Sequence, residues 1–365
     1  MSALLMAILL FFPYIDAKLA LDLGGWHADA PLADLAALVL APWGLWAAWR
    51  SAWRPPGWQG FAALVAVGWM SAWLGDAPGI ALHELVRKVV FSGVVYGLGM
   101  AAAVQLCRDT EWLRKALIAS VAACASISVL TSALRIAGGD ALWWQSIEGL
   151  TNNHKTLAVA MAPALVLVWT WREDRVARWV VGLGVVALIV SMSRTAWIAT
   201  AAGGAYVLSW RGRPLASRPW VVPTVVIVGV LAATYGPHLI ESAAQLDALR
   251  SRQSLDKRAW LLFTESPLLG GSPGASIRYE IPTFPDYRVN GVEAHGVIQK
   301  VGAEYGLLGL AAYGWMVAGM ARVTRAHWIW PCFLALHVNL LLSTEAFTQT
   351  HWAILGLVLG LAARR

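Results

Sequence analysis

The sequence predicts an all-α polytopic membrane protein, and three observations lead to this fold class. The 365 residues are 58% hydrophobic and only 13% charged, whereas ordinary soluble domains are about 25% charged. The mean hydropathy is +0.59. Apolar runs recur along the chain at about the 20 residues that a helix needs to cross the hydrocarbon core. This composition excludes a disordered chain, a coiled coil and a nucleic-acid-binding protein.

Polar residues and helix breakers divide the apolar runs into about twelve predicted transmembrane helices. We place these spans near residues 3–21, 31–49, 57–75, 82–106, 117–136, 155–171, 176–192, 194–210, 219–236, 295–321, 328–344 and 351–363. The first span has no basic residue before its apolar run and no convincing cleavage site, so we interpret it as an uncleaved anchor. Residues 1–365 are expected to form a single integral membrane domain.

The distribution of Lys and Arg predicts the orientation of these spans. Basic residues in short connections are retained on the cytoplasmic side during insertion. They occur in every second connection of the twelve-span arrangement and in the tail, which places both termini in the cytoplasm. These residues are Arg50, Arg54, Arg108, Arg114, Lys115, Arg172, Arg175, Arg178, Arg211, Arg213, Arg218, Arg322, Arg325, Arg364 and Arg365.

Most of the remaining basic residues fall on the outer face, often near the N-terminus of an inward-running span. A cation there opposes the helix dipole by roughly 0.3–1 kcal/mol, and a bound anion would reverse that sign. If the helix ends converge, the sequence predicts a site for phosphate or pyrophosphate; otherwise the ends lie on different sides of the bundle and single cations contact lipid phosphates. The polar residues concerned are Arg87, Lys88, Asn153, His154, Lys155, Ser193, Arg194, His295 and Lys300.

The longest connection, residues 237–294, is predicted to lie outside between spans 9 and 10, and it is too long for a simple connector. Its basic residues are concentrated at 250–258, within a stretch from Glu241 to Phe263 that is typical of one or two helices. Prolines and glycines then interrupt the chain from residue 267 to 274. The aromatic residues beyond this break could stack on sugar rings or pack onto the membrane domain; they are Tyr279, Phe284 and Tyr287.

Three stretches of the chain resemble the O-antigen ligase and polymerase superfamily of bacterial envelope glycosyltransferases. Ser191-Met-Ser-Arg-Thr-Ala-Trp197 is similar to a Ser-x-Ser-Arg motif at an outer helix start. Arg258-Ala-Trp260 with Ser266-Pro-Leu-Leu-Gly-Gly271 resembles the pattern of the large loop, and Ala294 to Gly309 resembles a His-Asn start followed by Glu-x-Gly-Leu-x-Gly. The chain departs from these patterns at Gly296, which replaces the Asn. In the loop, Lys257 and Arg252 could also take the role of Arg258.

The resemblance implies transfer of a glycan from an undecaprenyl-diphosphate carrier, in the bacterial inner membrane with the active site facing the periplasm. For the ligase branch the acceptor is a sugar hydroxyl of lipid A-core. Such a transfer requires stabilisation of the departing diphosphate and removal of a proton from the hydroxyl. We assign Arg194 and Arg258 to the diphosphate, and His295 as general base because an imidazole normally titrates near pH 6.5.

Further polar residues are assigned to substrate binding around these three. Glu304 could pair with Lys300 one turn away or with an arginine of the site, and a buried ion pair that fixes helix register is an equal alternative. His154 is the substitute base if His295 does not act. The substrate-binding set is Arg87, Lys88, Asn153, His154, Lys155, Ser193, Arg252, Lys257, Lys300 and Glu304.

No metal and no cofactor are predicted, because the sequence contains no Asp-x-Asp pair and no His-Glu-x-x-His motif. The expected reaction is therefore metal-independent and inverting, by direct displacement. Two alternatives remain open. One is a polymerase that elongates the glycan on the same carrier. The other is a non-enzymatic transporter of the lipid-linked glycan, although a transporter would place its polar groups near the midplane and often shows repeated halves.

Overall fold

The computed structural model describes residues 18–23, 26–31, 42, 46, 55–107, 109–138, 154–191, 193–209, 246–278, 294, 296–342 and 347–363. At some positions only the backbone is described, among them His154, Lys155, Arg194 and Arg252. The helices are α1 (Trp58–Leu74), α2 (Pro78–Glu84), α3 (Gly99–Leu106), α4 (Thr110–Ala137), α5 (His154–Trp169), α6 (Arg175–Val190), α7 (Arg194–Ser209), α8 (Leu246–Glu265), α9 (Ala275–Arg278), α10 (Val297–Thr324), α11 (Trp330–Leu342) and α12 (Gln349–Ala362).

These helices confirm the prediction of a helical, multi-pass membrane protein. Nine of the predicted spans coincide with helices in the described part of the chain. Three described stretches are long and apolar enough to cross a membrane, namely Pro78–Gln105, Thr110–Leu134 and Val297–Thr324. The predicted spans at 31–49 and 219–236 lie almost entirely outside the described residues. The total of twelve spans and the cytoplasmic position of both termini stay predictions.

The first predicted span is wrong at its C-terminal end. Residues predicted to complete a helix at 3–21 instead begin strand β1 (Lys18–Leu23), which pairs antiparallel with β2 (Trp26–Pro31). The register joins Leu23 to Trp26, with Gly24 and Gly25 between the strands in sequence. A Gly-Gly pair between two short alternating segments is a hairpin signal, which the hydropathy of the preceding run concealed.

The segment predicted as one regular span at 82–106 is not a regular α-helix throughout. After α2 the chain forms two π-helical stretches, Leu85–Phe91 and Gly93–Leu98, and continues into α3. π-Helical turns redirect backbone carbonyls away from the α-helical pattern. Two such carbonyls have side-chain donors: the Ser92 hydroxyl donates to Arg87 O at 2.9 Å and the Trp352 indole donates to Lys88 O at 3.0 Å. The Trp352 bond fixes this segment to α12.

The helices around the candidate site approach one another at small residues. α10 packs along α1, and α12 packs along α3 and the π-helical stretch before it. A Cβ at Gly60 would collide with the backbone of Met316, and one at Gly356 would collide with the carbonyl of Gly97. Membrane helices associate through such close backbone contacts because lipid supplies little hydrophobic drive for association. α4, α5, α6, α7 and α11 form the remainder of the described bundle.

Candidate active site

Helix α10 is broken at Gly306, and the connection between α8 and α9 fills the break. Gly306 has φ 64° and ψ −160°, so the helix does not continue through it although the sequence predicts one uninterrupted span. The backbone groups released by the break are bonded to residues 267–271. These bonds run from Leu307 N–H to Pro267 O at 2.8 Å, from Leu308 N–H to Leu268 O at 3.1 Å and from Gly271 N–H to Ala303 O at 2.7 Å.

Two motifs quoted from the sequence therefore bind each other directly. Gly270, in Ser-Pro-Leu-Leu-Gly-Gly, has φ 70°, and a Cβ there would lie 2.5 Å from the carbonyl carbon of Glu304. A Cβ at Gly306, in Glu-Tyr-Gly-Leu-Leu-Gly, would lie 2.5 Å from the carbonyl oxygen of Leu268. Both positions combine a left-handed backbone with close contact, which only glycine accepts without strain. The glycines of the two motifs thus form one junction between the loop and α10.

Glu304 lies on α10 next to this junction and is buried, with 2% of its surface exposed. The Ser276 hydroxyl of α9 donates to Glu304 Oε1 at 2.5 Å. The Ser71 hydroxyl of α1 donates to the Glu304 backbone carbonyl at 3.3 Å. The structure therefore links α1, α9 and α10 at a single residue. The predicted pairing of Glu304 with Lys300 stays a prediction, and the contribution of Ser276 and Ser71 had no signal in the sequence.

Arg258 is the buried cation of the basic segment in α8. It is 2% exposed, whereas its neighbours Lys257 and Trp260 are exposed. Burial lowers the pKa of the Arg258 guanidinium, but an arginine titrates so far above neutrality that it keeps its charge. α8 packs against α10, so Arg258 faces the protein interior rather than solvent. Of the basic residues whose side chains are described in this segment, Arg258 best fits a buried anion.

His295 lies outside the described residues, but both of its neighbours are described. Ala294 is buried in a small cluster with Ala259, the residue after Arg258. The other members of that cluster are Leu262, Ala275 and Ala303. The residue after Arg258 and the residue before His295 therefore belong to the same buried hydrophobic cluster.

Gly296 precedes α10 and explains a departure from the family pattern. It has φ 79° and ψ 143°, and a Cβ at this position would lie 2.7 Å from Leu341 O. An Asn here would require a strained backbone and displacement of α11. The replacement by glycine is therefore matched to the close approach of α11 to the start of α10.

Lys300 is buried one turn into α10, and its ammonium lies 5.8 Å from the centroid of the Phe347 ring. An aromatic face partly compensates a cation that has lost water. Phe347 has φ 65°, unusual for an aromatic residue, and its N–H donates to His351 Nδ1 at 3.1 Å. The sequence predicted Lys300 as a substrate-binding residue and gave His351 no role.

Arg87 and Lys88 both contact Glu84, a residue that was not predicted to belong to the site. Arg87 Nη2 lies 3.1 Å from Glu84 Oε1, and Lys88 Nζ lies 2.8 Å from Oε2. The i,i+3 and i,i+4 spacing of these residues is readable from the sequence and would have indicated the contact. The two cations thus share one carboxylate.

The remaining predicted site residues are described only in part. Ser193 is buried, and its Oγ lies 3.2 Å from Thr195 Oγ1. The backbone of Arg194 begins α7, which packs against α5 and α11. The convergence of Arg194 with Arg258 stays a prediction. Asn153 lies outside the described residues, as do the side chains of His154, Lys155, Arg194 and Arg252.

Potential metal ligands are dispersed in the described part of the chain. No group of three or more His, Cys, Asp or Glu side chains there is close enough to hold a metal ion. The three cysteines, Cys107, Cys124 and Cys332, are all free thiols.

Residues 179–314 match the family model described as O-antigen ligase. The matched range begins in α6, ends in α10 and contains all three motif stretches quoted from the sequence. The match confirms the resemblance to the O-antigen ligase and polymerase superfamily. No curated protein matches the chain.

Proposed function

We propose that this chain, which carries an O-antigen ligase domain over residues 179–314, is the glycosyltransferase that joins O-antigen glycan to lipid A-core. The donor is the glycan on undecaprenyl diphosphate, and the acceptor is a sugar hydroxyl of lipid A-core. The reaction takes place at the periplasmic side of the bacterial inner membrane, within a single membrane domain that includes the 237–294 loop. One observation carries the proposal. The loop binds the break in α10, and Ala259 and Ala294, the sequence neighbours of Arg258 and His295, belong to one buried hydrophobic cluster.

The first chemical requirement is to hold the diphosphate as it leaves. Arg258 is buried, and a buried cation is strongly stabilised by an anion at hydrogen-bond distance. A guanidinium can also bind two phosphate oxygens in parallel. In our proposal Arg258 binds the diphosphate from the loop side and Arg194 binds it from the start of α7. The charge that develops on the leaving diphosphate is thereby neutralised in a site of low dielectric.

The second requirement is a base for the acceptor hydroxyl. We assign this role to His295, whose imidazole accepts the proton as the oxygen attacks the anomeric carbon of the first sugar. The bond to the diphosphate oxygen breaks as the new glycosidic bond forms, so the anomeric centre inverts. No divalent cation takes part, and we expect transfer to be undiminished in excess chelator. Loss of transfer that added Mg²⁺ restores would contradict this.

Three outcomes of a reconstituted assay discriminate among the possible activities. The full-length protein in lipid vesicles is supplied with glycan-loaded undecaprenyl diphosphate, with and without lipid A-core. Covalent joining of glycan to lipid A-core supports the proposed function. Elongation of the glycan on its carrier identifies a polymerase. Movement of the donor across the bilayer without a covalent product identifies a transporter.

A further inference from the structure

A group of charged side chains lies where α2 meets the loop before α9; we name it the Glu84 cluster and define it as Glu84, Arg87, Lys88 and Arg278. The Glu84 carboxylate accepts a hydrogen bond from Arg87 through each oxygen, at 3.1 and 3.2 Å. Lys88 Nζ lies 2.8 Å from Glu84 Oε2, and His83 Nδ1 lies 3.8 Å from Glu84 Oε1. One carboxylate therefore serves two full cations on its own helical segment.

Arg278 borders this cluster at Gly274. A Cβ at Gly274 would lie 2.9 Å from Glu84 Cγ and 3.0 Å from Arg278 Nη1, so both side chains border the same glycine. The guanidinium is held by its own loop: Nη1 donates to Pro273 O at 3.0 Å and Nη2 donates to Ser272 Oγ at 2.9 Å. Both acceptors are neutral. These two hydrogen bonds therefore position the Arg278 guanidinium without compensating its charge.

Ser272 provides one of these acceptors from a strained backbone. It has φ 83°, a value that favours glycine, and it is buried against Gly75 at the end of α1. A residue other than glycine at a left-handed position carries backbone strain, and such strain is concentrated at functional sites. The hydroxyl that glycine lacks is the group that receives Arg278.

We propose that Arg278, together with Arg87 and Lys88, binds a phosphate group of a lipid substrate, with Ser272 and Glu84 as positioning residues. Among the described side chains that meet at Glu84 and Gly274, three full cations face one carboxylate. Asp76, on the connection between α1 and α2, is exposed to solvent. An excess of positive charge in a partly buried cluster is relieved by an anion, and phosphate suits a planar guanidinium beside an ammonium.

The cluster is continuous with the candidate active site. Arg278 lies on the same short helix as Ser276, which donates to Glu304 of α10. The inference rests on the proposed function for the identity of its ligand, because both lipid substrates of that function carry phosphate. The phosphate is either the carrier diphosphate or a phosphate of lipid A-core. In both cases the ligand is a phosphate ester at the periplasmic surface of the inner membrane.

Transfer kinetics identify which substrate the cluster binds. The full-length protein in nanodiscs is assayed as wild type, Arg278→Gln, Arg278→Lys and the control Arg114→Gln. Concentrations of donor and acceptor are varied separately. We expect Arg278→Gln to raise the KM for one lipid about tenfold, with kcat changed less than about threefold, and Arg278→Lys to fall between. Unchanged KM values for both lipids in Arg278→Gln would overturn the inference.

A binding measurement separates this inference from the proposed function. Undecaprenyl diphosphate without glycan, and lipid A-core separately, are titrated against the purified protein by native mass spectrometry. We expect the lipid with the raised KM to bind about tenfold more weakly to Arg278→Gln than to Arg114→Gln. If the wild type joins no lipids yet its binding still depends on Arg278, the phosphate site stands and the proposed function fails. If transfer occurs and the binding of neither lipid depends on Arg278, the inference alone fails.

Ser272→Gly distinguishes a positioning role from a structural one. Glycine relieves the left-handed backbone at this position and removes the acceptor of Arg278. We expect the melting temperature to be unchanged or raised, and binding of the affected lipid to weaken several-fold. The double variant with Arg278→Gln should bind no worse than Arg278→Gln alone. Wild-type binding by Ser272→Gly, or additive losses in the double variant, would remove Ser272 from the site.

Discussion

Two ion-pair clusters, at opposite predicted faces of the membrane, differ in their balance of charge. On the predicted cytoplasmic side Arg114 contacts Glu111 at 2.6 Å and Asp174 at 3.3 Å, and Lys115 lies 3.9 Å from Glu111. Among these contacts of the described side chains, two cations meet two carboxylates. In the Glu84 cluster on the predicted outer side, the described side chains place three cations around one carboxylate.

The difference shows how a structural cluster is distinguished from a candidate binding site. The cytoplasmic cluster joins α4 to the start of α6, and its charges compensate one another without a ligand. Among the described side chains, those of the Glu84 cluster include more cations than carboxylates, and they lie next to a loop that binds the broken helix α10. Ion pairs at protein surfaces contribute little stability, so an unbalanced set is better explained by an anionic partner than by folding. Variants at Arg258 and Gly306 test the candidate site beside the Glu84 cluster and should have the largest effects; variants at Arg87, Lys88 and Asp174 test the contrast itself and should have smaller ones.

The largest expected effect is at Arg258. Arg258→Gln should reduce kcat/KM for transfer at least about 100-fold, because it removes a buried donor to the leaving diphosphate. Lys257→Gln should reduce kcat/KM much less, since the side chain of Lys257, next to Arg258 in sequence, is exposed to solvent. Transfer by the reconstituted variants, at matched insertion levels, measures both. Equal losses at the two positions would leave the identity of the loop cation open and remove the argument from burial.

The junction between the loop and α10 should be sensitive to a single methyl group. Gly306→Ala should destabilise the folded protein by about 1–3 kcal/mol, because alanine adopts the left-handed backbone poorly and its Cβ would meet Leu268. Gly314→Ala is the matched control on the same helix, where a Cβ meets nothing within 4 Å; it should be neutral or stabilising by up to about 1 kcal/mol. Thermal unfolding in detergent compares the two variants. Indistinguishable melting temperatures would show that the junction tolerates a side chain.

Removing the two cations of the π-helical stretch should weaken substrate binding. Arg87→Gln with Lys88→Gln should raise the KM for one lipid substrate about tenfold, equivalent to about 1.4 kcal/mol. The matched double variant Arg114→Gln with Lys115→Gln, in the cytoplasmic cluster, should change KM less than about twofold. An equal change in both double variants would mean that net charge acts through the membrane surface and not through a site.

The smallest effect is expected at Asp174, which caps helix α6 as well as contacting Arg114. Its carboxylate accepts from the N–H groups of Val176 and Ala177 at 2.8 and 3.5 Å. Asp174→Ala should cost about 1 kcal/mol of stability through loss of the cap, with no change in KM. Asp174→Asn keeps a capping side chain and should retain most of that stability. If Asn and Ala are equally destabilising, the ion pair with Arg114 matters more than the cap.

Several residues of the candidate site could be predicted because their side-chain types indicate the chemistry that they can perform. Arg258, Glu304 and the glycines of the two motifs were identified from the sequence, and the structure places Arg258 and Glu304 in the interior. The sequence could not predict Ser71 and Ser276, because isolated serines on separate helices carry no periodic or motif signal. Glu84 was not predicted, although its spacing to Arg87 and Lys88 is regular, because cations on the predicted outer face give the stronger signal for an anion site. The hairpin at residues 18–31 was missed because hydropathy outweighed its turn residues.

The sequence by itself determined that this is a helical membrane protein, because hydropathy acts locally along the chain. Only the tertiary structure decided that the Ser266–Gly271 loop binds the break at Gly306, that Ser276 bonds to Glu304 and that Arg278 lies beside Glu84. Those pairings join residues far apart in sequence. They depend on which backbone groups a broken helix leaves to be bonded, a condition that exists only after the chain has folded.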